Sequence, residues 1–129
     1  MTNDYKIRSS NMLREIQSQA IVDYSRLDDC PNSFSRKRKM PVDDLIISAL
    51  SRKGLSTAMD IFDYYEEKKT NDVISKQAYL KQRKKLNYKV FTHLNQSYLK
   101  NFYGYITQNE LFNGYLVMAI DGSKAEVPA

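Results

Sequence analysis

Apolar side chains recur at intervals of three and four along most of this chain, and this spacing constrains the fold more than any other feature. Residues three and four apart lie on one face of an α-helix, so each such run predicts an amphipathic helix with one buried stripe. The chain has only 4 glycines and 3 prolines in 129 residues, which favours helices over a loop-rich β fold. The sequence therefore predicts a mainly α-helical bundle with its own hydrophobic core.

Helix boundaries are predicted from the residues that favour helix ends. Pro41 suits the first turn of a helix, and Gly54 suits the position just past its end. Ser56, Ser75 and Asn87 suit the N-cap position, where a side-chain oxygen accepts a backbone N–H. With the apolar spacing, these residues predict helices over about 10–27, 41–53, 56–68, 75–86 and 87–105, after a polar, frayed start at residues 1–9.

The net charge of +5 is concentrated between Arg36 and Lys89 and predicts affinity for a polyanion, either nucleic acid or an anionic membrane surface. The first residues of the sequence are polar and show no signal peptide, and the longest apolar run is too short to span a bilayer. No membrane partner is therefore expected. Cys30 and His93 are the only cysteine and histidine, which excludes an internal disulfide and a Cys/His zinc site. Both are expected to be packing or surface residues, in a reducing cytoplasmic setting.

The segment from Ser75 to Leu86 carries the clearest binding signal. Ala78, Tyr79, Gln82 and Leu86 are predicted to form its packed face. The other face is predicted to contact DNA and comprises Lys76, Gln77, Leu80, Lys81, Arg83 and Lys84. Lysine and arginine attract phosphates, and glutamine can pair with an adenine edge. With the preceding helix, this segment predicts a helix-turn-helix-like region. The alternative is a solvated basic face on an ordinary bundle helix.

A second basic segment has four consecutive cations: Arg36, Lys37, Arg38 and Lys39. Its functional interpretation is a phosphate clamp, and the alternatives are a solvated surface loop or a nuclear-localisation cluster, since short runs of this kind are unspecific. Together, the loop and the basic helix favour binding to double-stranded DNA. They carry no information about the target sequence.

The sequence pattern changes from helical to strand-like after Asn113-Gly114. The apolar run 115–120 predicts a β-strand that ends at Asp121, which divides the chain into a helical domain, 1–110, and a C-terminal segment, 111–129, with a strand or hairpin. A carboxylate at the end of a strand is typical of metal-dependent nucleases, but Asp-Gly is also a common hairpin turn, and this segment alone favours the turn. A metal pair needs several carboxylates. No motif predicts a small-molecule substrate.

The order and spacing of five segments are similar to those of a known family. The segments are Phe34-Ser-Arg-Lys-Arg-Lys-Met-Pro41, Lys53-Gly-Leu-Ser56, 73–87, Phe91 with Leu94-Asn95, and 114–124. From about Phe34 to Pro128 the chain resembles the N-terminal part of bacterial insertion-sequence transposases of the family named after insertion sequence four. The resemblance implies a DDE transposase with a ribonuclease-H-like core, whose helical N-terminal region binds terminal inverted repeats. Asp121 matches the first catalytic, metal-binding aspartate, and the full-length parent would use Mg²⁺.

The family's second aspartate and its glutamate lie far downstream of the strand, beyond residue 129. The 129 residues are therefore expected to be a truncated, catalytically incomplete portion that holds no Mg²⁺ tightly. They are expected to bind DNA in the bacterial cytoplasm at the nucleoid, with a homodimer in a transposition complex as a further partner. Two alternatives stay open: a self-contained helix-turn-helix regulator that ends at Ala129, and a transposase remnant without function.

Overall fold

The computed structural model describes residues 2–36, 38–54, 56–104, 106, 111–118 and 122, without the side chains of residues 2–5, 7 and 8. These residues contain the helices α1 Thr2–Ile16, α2 Gln19–Ser25, α3 Val42–Leu50, α4 Thr57–Glu67, α5 Lys76–Arg83 and α6 Lys89–Gly104. The prediction of a mainly α-helical protein is confirmed. Within the described ranges, no helix is long and apolar enough to cross a membrane.

The first predicted helix is two helices, and residues 2–9 are helical rather than frayed. The chain breaks at Gln17 and Ser18, between α1 and α2. Ile16 and Ile21 explain the break, because side chains five residues apart on a continuous helix point about 140° away from each other. The change of direction lets both enter the same cluster, where Ile16 is 3% and Ile21 0% exposed.

Helix α3 lies between two hydrophobic clusters and belongs to both. Its neighbouring residues Leu45 and Ile46 are each 0% exposed, but they enter different clusters. The first cluster joins α3 to α1, α2 and α6 through Ile16, Ile21, Val42, Ile46, Val90 and Leu94. The second cluster joins α3 to α4 and α5 through Met40, Leu45, Ile61, Tyr65 and Tyr79. The position of α5 therefore depends on the second cluster.

A buried carboxylate also fixes α4 on α3. The hydroxyl of Tyr64 donates a hydrogen bond to Oδ1 of Asp44 at 2.7 Å, and Lys68 forms an ion pair with the same carboxylate. Burial raises the pKa of Tyr64, and the hydrogen bond to Asp44 raises it further, so the phenol stays protonated and continues to donate. These partners satisfy a charge that would otherwise be costly to bury.

The predicted N-caps are confirmed. Oγ of Ser56 accepts the backbone N–H of Met59 at 3.4 Å, and Oγ of Ser75 accepts that of Ala78 at 3.2 Å. Oδ1 of Asn87 accepts the N–H of Lys89 at 3.1 Å at the start of α6. Each contact satisfies a donor that the first turn of a helix leaves without a partner.

Replacing Ser75 by alanine is expected to destabilise the protein by about 1 kcal/mol, because the first turn of α5 loses its cap. The free energy of unfolding, measured by urea denaturation and circular dichroism, checks this result. Ser75→Asp is the matched control, since aspartate also caps well and should retain most of the stability. Equal stability of the alanine and aspartate variants would show that the cap contributes nothing to the fold.

The chain after α6 contains a tight turn. Phe112 and Tyr115 exchange backbone hydrogen bonds of 2.9 Å, and Asn113 and Gly114 between them have φ of 50° and 83°. Positive φ at both central positions suits Asn-Gly. Of the predicted strand 115–120, Tyr115 forms only the isolated bridge to Phe112 and residues 116–118 are not in a strand. Residues 119 and 120 and the predicted turn at Asp121 lie outside the described residues. The predicted domain boundary at residue 110 also lies outside them.

Candidate nucleic-acid interface

Helix α5 attaches to the domain through Tyr79, which is 3% exposed in the second cluster. Two residues lie on other faces than predicted. Leu80, predicted to contact DNA, is half-buried and packs against the second cluster, whereas Ala78, predicted to be packed, is exposed. The helix also ends at Arg83 rather than at Leu86. The packed side of α5 is therefore centred on Tyr79 and shifted towards Leu80.

The predicted DNA-binding cations of α5 are all exposed. Gln77 and Lys81 lie about 160° from Tyr79 around the helix and Lys84 about 140°, so these three point directly away from the core. Lys76 and Arg83 are exposed too, but they lie on the side of the helix nearer Leu80. We call Gln77, Lys81 and Lys84 the outer face of α5.

The chain before the basic loop is held in a defined shape. Nε of Arg26 donates to the carbonyl of Ser33 at 2.9 Å, and Oγ of Ser35 donates to that of Asn32 at 2.8 Å. Phe34 has φ of 61°, a strained conformation for a bulky residue. Its side chain packs against both clusters, so burial of the ring offsets the strain and anchors the start of the loop.

The basic loop lies beside α5 and forms a groove of about 570 Å³ with it. Arg36 and Arg38 line the loop side of this loop–α5 groove, and Gln82 and Lys85 line the helix side. Of the described residues that line it, Asp29 is the acidic one. A smaller adjoining groove is lined by Arg38 and Lys39 on one side and by Ala78 and Gln82 on the other. The structure thus brings two separately predicted basic segments together, although Lys37 lies outside the described residues.

Carboxylates neutralise many of the described cations, but not those around the groove. Arg52 pairs with Asp60 at 2.9 Å, Lys53 with Glu67 at 3.0 Å, and Lys39 with Asp72. In the part of the chain that the structure describes, no ion pair involves Arg36, Arg38 or any cation of residues 76–85. The loop–α5 groove and the outer face therefore have excess positive charge, to which Lys39 contributes least.

Sequence reasoning missed four residues that shape this surface: Arg26, Phe34, Gln82 and Lys85. Gln82 was expected on the packed face, and Lys85 follows it by three residues, so helical spacing could have placed the two together. Nothing in the sequence marks Arg26 or Phe34, because their roles depend on contacts with Ser33 and with the two clusters.

The predicted helix-turn-helix is not shown. Residues 68–75 connect α4 to α5, and this connection is longer than the compact turn of about three or four residues in that motif. Asn87, after α5, makes a more specific contact: its Nδ2 donates to the carbonyl of Arg26, and its N–H donates to that of Ser25, both at 2.9 Å. The short segment between α5 and α6 is thereby fixed to the end of α2.

The described residues contain no second candidate site. Asp121, predicted to be catalytic and metal-binding, lies outside the described residues, and the described ones contain no cluster of three His, Cys, Asp or Glu that could hold a metal ion. His93 is a packing residue, since its Nε2 lies 2.8 Å from Oε1 of Glu15 and its ring stacks on Tyr24. Cys30 is exposed and lines the loop–α5 groove.

Comparison with known proteins identifies no relative: no protein-family model, curated protein or solved structure matches the chain. The resemblance to insertion-sequence transposases therefore stays a prediction, as do Asp121 as a catalytic residue and Mg²⁺ as its metal. The physical basis for a function is the charged surface formed by the basic loop and α5.

Proposed function

We propose that this protein binds double-stranded DNA through the loop–α5 groove and the outer face of α5. One observation carries the proposal: Arg36, Arg38 and Lys85 line one groove beside the exposed Lys81 and Lys84, and none of these five cations forms an ion pair within the described chain. Like charges gathered in this way repel one another, so an anionic partner stabilises the arrangement. DNA presents a phosphate charge about every 1.7 Å along its axis and meets several of these cations at once.

The shape of α5 favours duplex DNA over a small anion. A helix with its side chains is about 10–12 Å wide, which fits the roughly 12 Å major groove of B-form DNA. The outer face holds Lys81 and Lys84 for phosphates and Gln77 near the start of the helix, where it can reach an adenine edge. A helix that carries both kinds of side chain can bind the backbone and contact bases together.

The predicted transposase origin extends this proposal to a particular DNA. We propose that the duplex is the terminal inverted repeat of an insertion sequence and that the chain is the DNA-binding part of a DDE transposase. The support is the order of its segments from Phe34 to Lys124. Sequencing the DNA on both sides of the coding region tests this step. Inverted repeats that the protein binds more tightly than a scrambled duplex would support it, and a single promoter-like operator would indicate the regulator instead.

Fluorescence anisotropy with a labelled duplex tests the binding itself. The logarithm of the association constant is expected to fall linearly with the logarithm of salt concentration, with a slope of about −4 if most of the five cations contact phosphates. The measurement should be repeated with a single strand of the same length. No binding at low salt, or affinity that salt leaves unchanged, would contradict the proposal.

A further inference from the structure

The two walls of the loop–α5 groove carry opposing cations. Arg36 and Arg38 belong to the loop, Lys85 follows the end of α5 by two residues, and Gln82 lies three residues before Lys85 on the same wall. None of the three cations forms an ion pair within the described chain. A groove with charge on both walls suits a linear anion that runs along it, because each phosphate is attracted from two sides.

Helical geometry separates this wall from the outer face. Neighbouring residues on a helix differ by about 100° in direction, so Lys81 and Gln82 serve different surfaces although they are adjacent in sequence. Lys81 and Lys84 point away from the core, whereas Gln82 and Lys85 face the loop. Two parallel rows along α5 can therefore contact different parts of one duplex.

The groove is also built before any ligand binds. The ring of Phe34 is held by both clusters, and Arg26 holds the carbonyl of Ser33, so the chain that leads into Arg36 has a fixed course. A pre-formed wall loses little conformational entropy on binding. Of the described residues that line the groove, Asp29 is the acidic one. It is exposed and lies near the start of the segment that connects α2 to α3.

We propose that the loop–α5 groove clamps the sugar–phosphate backbone of one DNA strand, with Arg36 and Arg38 on one side and Lys85 on the other. The amide of Gln82 donates to a phosphate oxygen between them. This inference rests on the proposed DNA binding and goes beyond it, because it assigns the groove to the positioning of the duplex and leaves contact with bases to Gln77 on the outer face. The clamp is independent of sequence, since phosphates carry no base identity.

Arg38→Ala, Lys85→Ala and the double variant test the clamp against two duplexes of equal length and unrelated sequence. Each single change is expected to make the salt slope less steep by about 0.9 and to lower affinity roughly fivefold to tenfold. The affinity ratio between the two duplexes should not change. Lys85→Arg should retain affinity, because it keeps the charge. Gln77→Ala is the contrasting variant, which should change the ratio and leave the salt slope as it was.

Lys100→Ala is the charge-matched control. Lys100 is exposed, and it lies about 16 Å along α6 from Lys89, the first residue of that helix. Near-native binding by Arg38→Ala and Lys85→Ala, with circular dichroism unchanged, would overturn the clamp. If Lys81→Ala still weakened binding, the proposed DNA binding would stand without the clamp. Failure of the unmodified protein to bind either duplex would overturn both.

Discussion

Replacing Lys81 and Lys84 together by alanine is expected to weaken DNA binding by roughly 50-fold at about 0.1 M salt. Each phosphate contact adds about 0.9 to the slope of log association constant against log salt concentration. One such contact therefore raises the association constant roughly eightfold when salt falls from about 1 M to 0.1 M. Both lysines are exposed on the outer face, and neither has a carboxylate partner in the described chain. Their replacement should therefore remove two contacts with DNA phosphates without breaking an ion pair inside the described chain.

Anisotropy titrations at several salt concentrations measure this effect, and the slope should become less steep by about 2. The matched control replaces Lys6 and Lys100, which are exposed cations on α1 and α6, and changes the net charge by the same amount. A loss of affinity in the control equal to that of the α5 variant would mean that net charge, and not this surface, attracts DNA. Unchanged binding by the α5 variant would remove its outer face from the interface.

Leu45→Ala is expected to reduce the free energy of unfolding by about 2–5 kcal/mol, the largest effect on stability among our predictions. Leu45 is 0% exposed and contacts the cluster that holds Tyr79, so a shorter side chain leaves a cavity beneath α5. Helix α5 packs on this cluster through Tyr79, so the cavity weakens the packing that holds α5 in position. DNA affinity should therefore fall in this variant although Leu45 contacts no ligand.

Urea denaturation followed by circular dichroism measures the stability of this variant. Leu50→Ala is the control on the same helix. Leu50 is 49% exposed, so its truncation should reduce the free energy of unfolding much less. A loss below about 1 kcal/mol for Leu45→Ala would contradict the tight packing of the second cluster.

The helices that could be predicted from sequence are those whose local signals and tertiary contacts agree. Ser56 and Ser75 cap α4 and α5 as expected, because a cap needs only its own helix. The break at Ser18 could not be predicted, since no glycine or proline marks it and its cause is the burial of Ile16 and Ile21 in one cluster. Long-range packing overrides a continuous helical pattern at that point.

The candidate site was predictable in its charges but not in its arrangement. The exposed lysines of α5 and the cations of the loop are visible in the sequence as runs of positive charge. Their meeting at one groove depends on the second cluster, which orients α5 through Tyr79, and on Phe34, which anchors the loop. Neither contact has a local sequence signal. The pairing of Lys39 with Asp72 was hidden for the same reason, since the two residues lie in separate segments.

The contact of Asn87 with the end of α2 has a consequence for the order of folding. The side chain of Asn87 reaches the carbonyl of Arg26, 61 positions earlier, so the basic loop, α3, α4 and α5 all lie within one closed loop of chain. Closing a loop of this size costs entropy that only the contacts at its ends and inside it can offset. During synthesis, the contact between Asn87 and Arg26 can therefore form only after residue 87 has left the ribosome, by which time both basic segments have been synthesised.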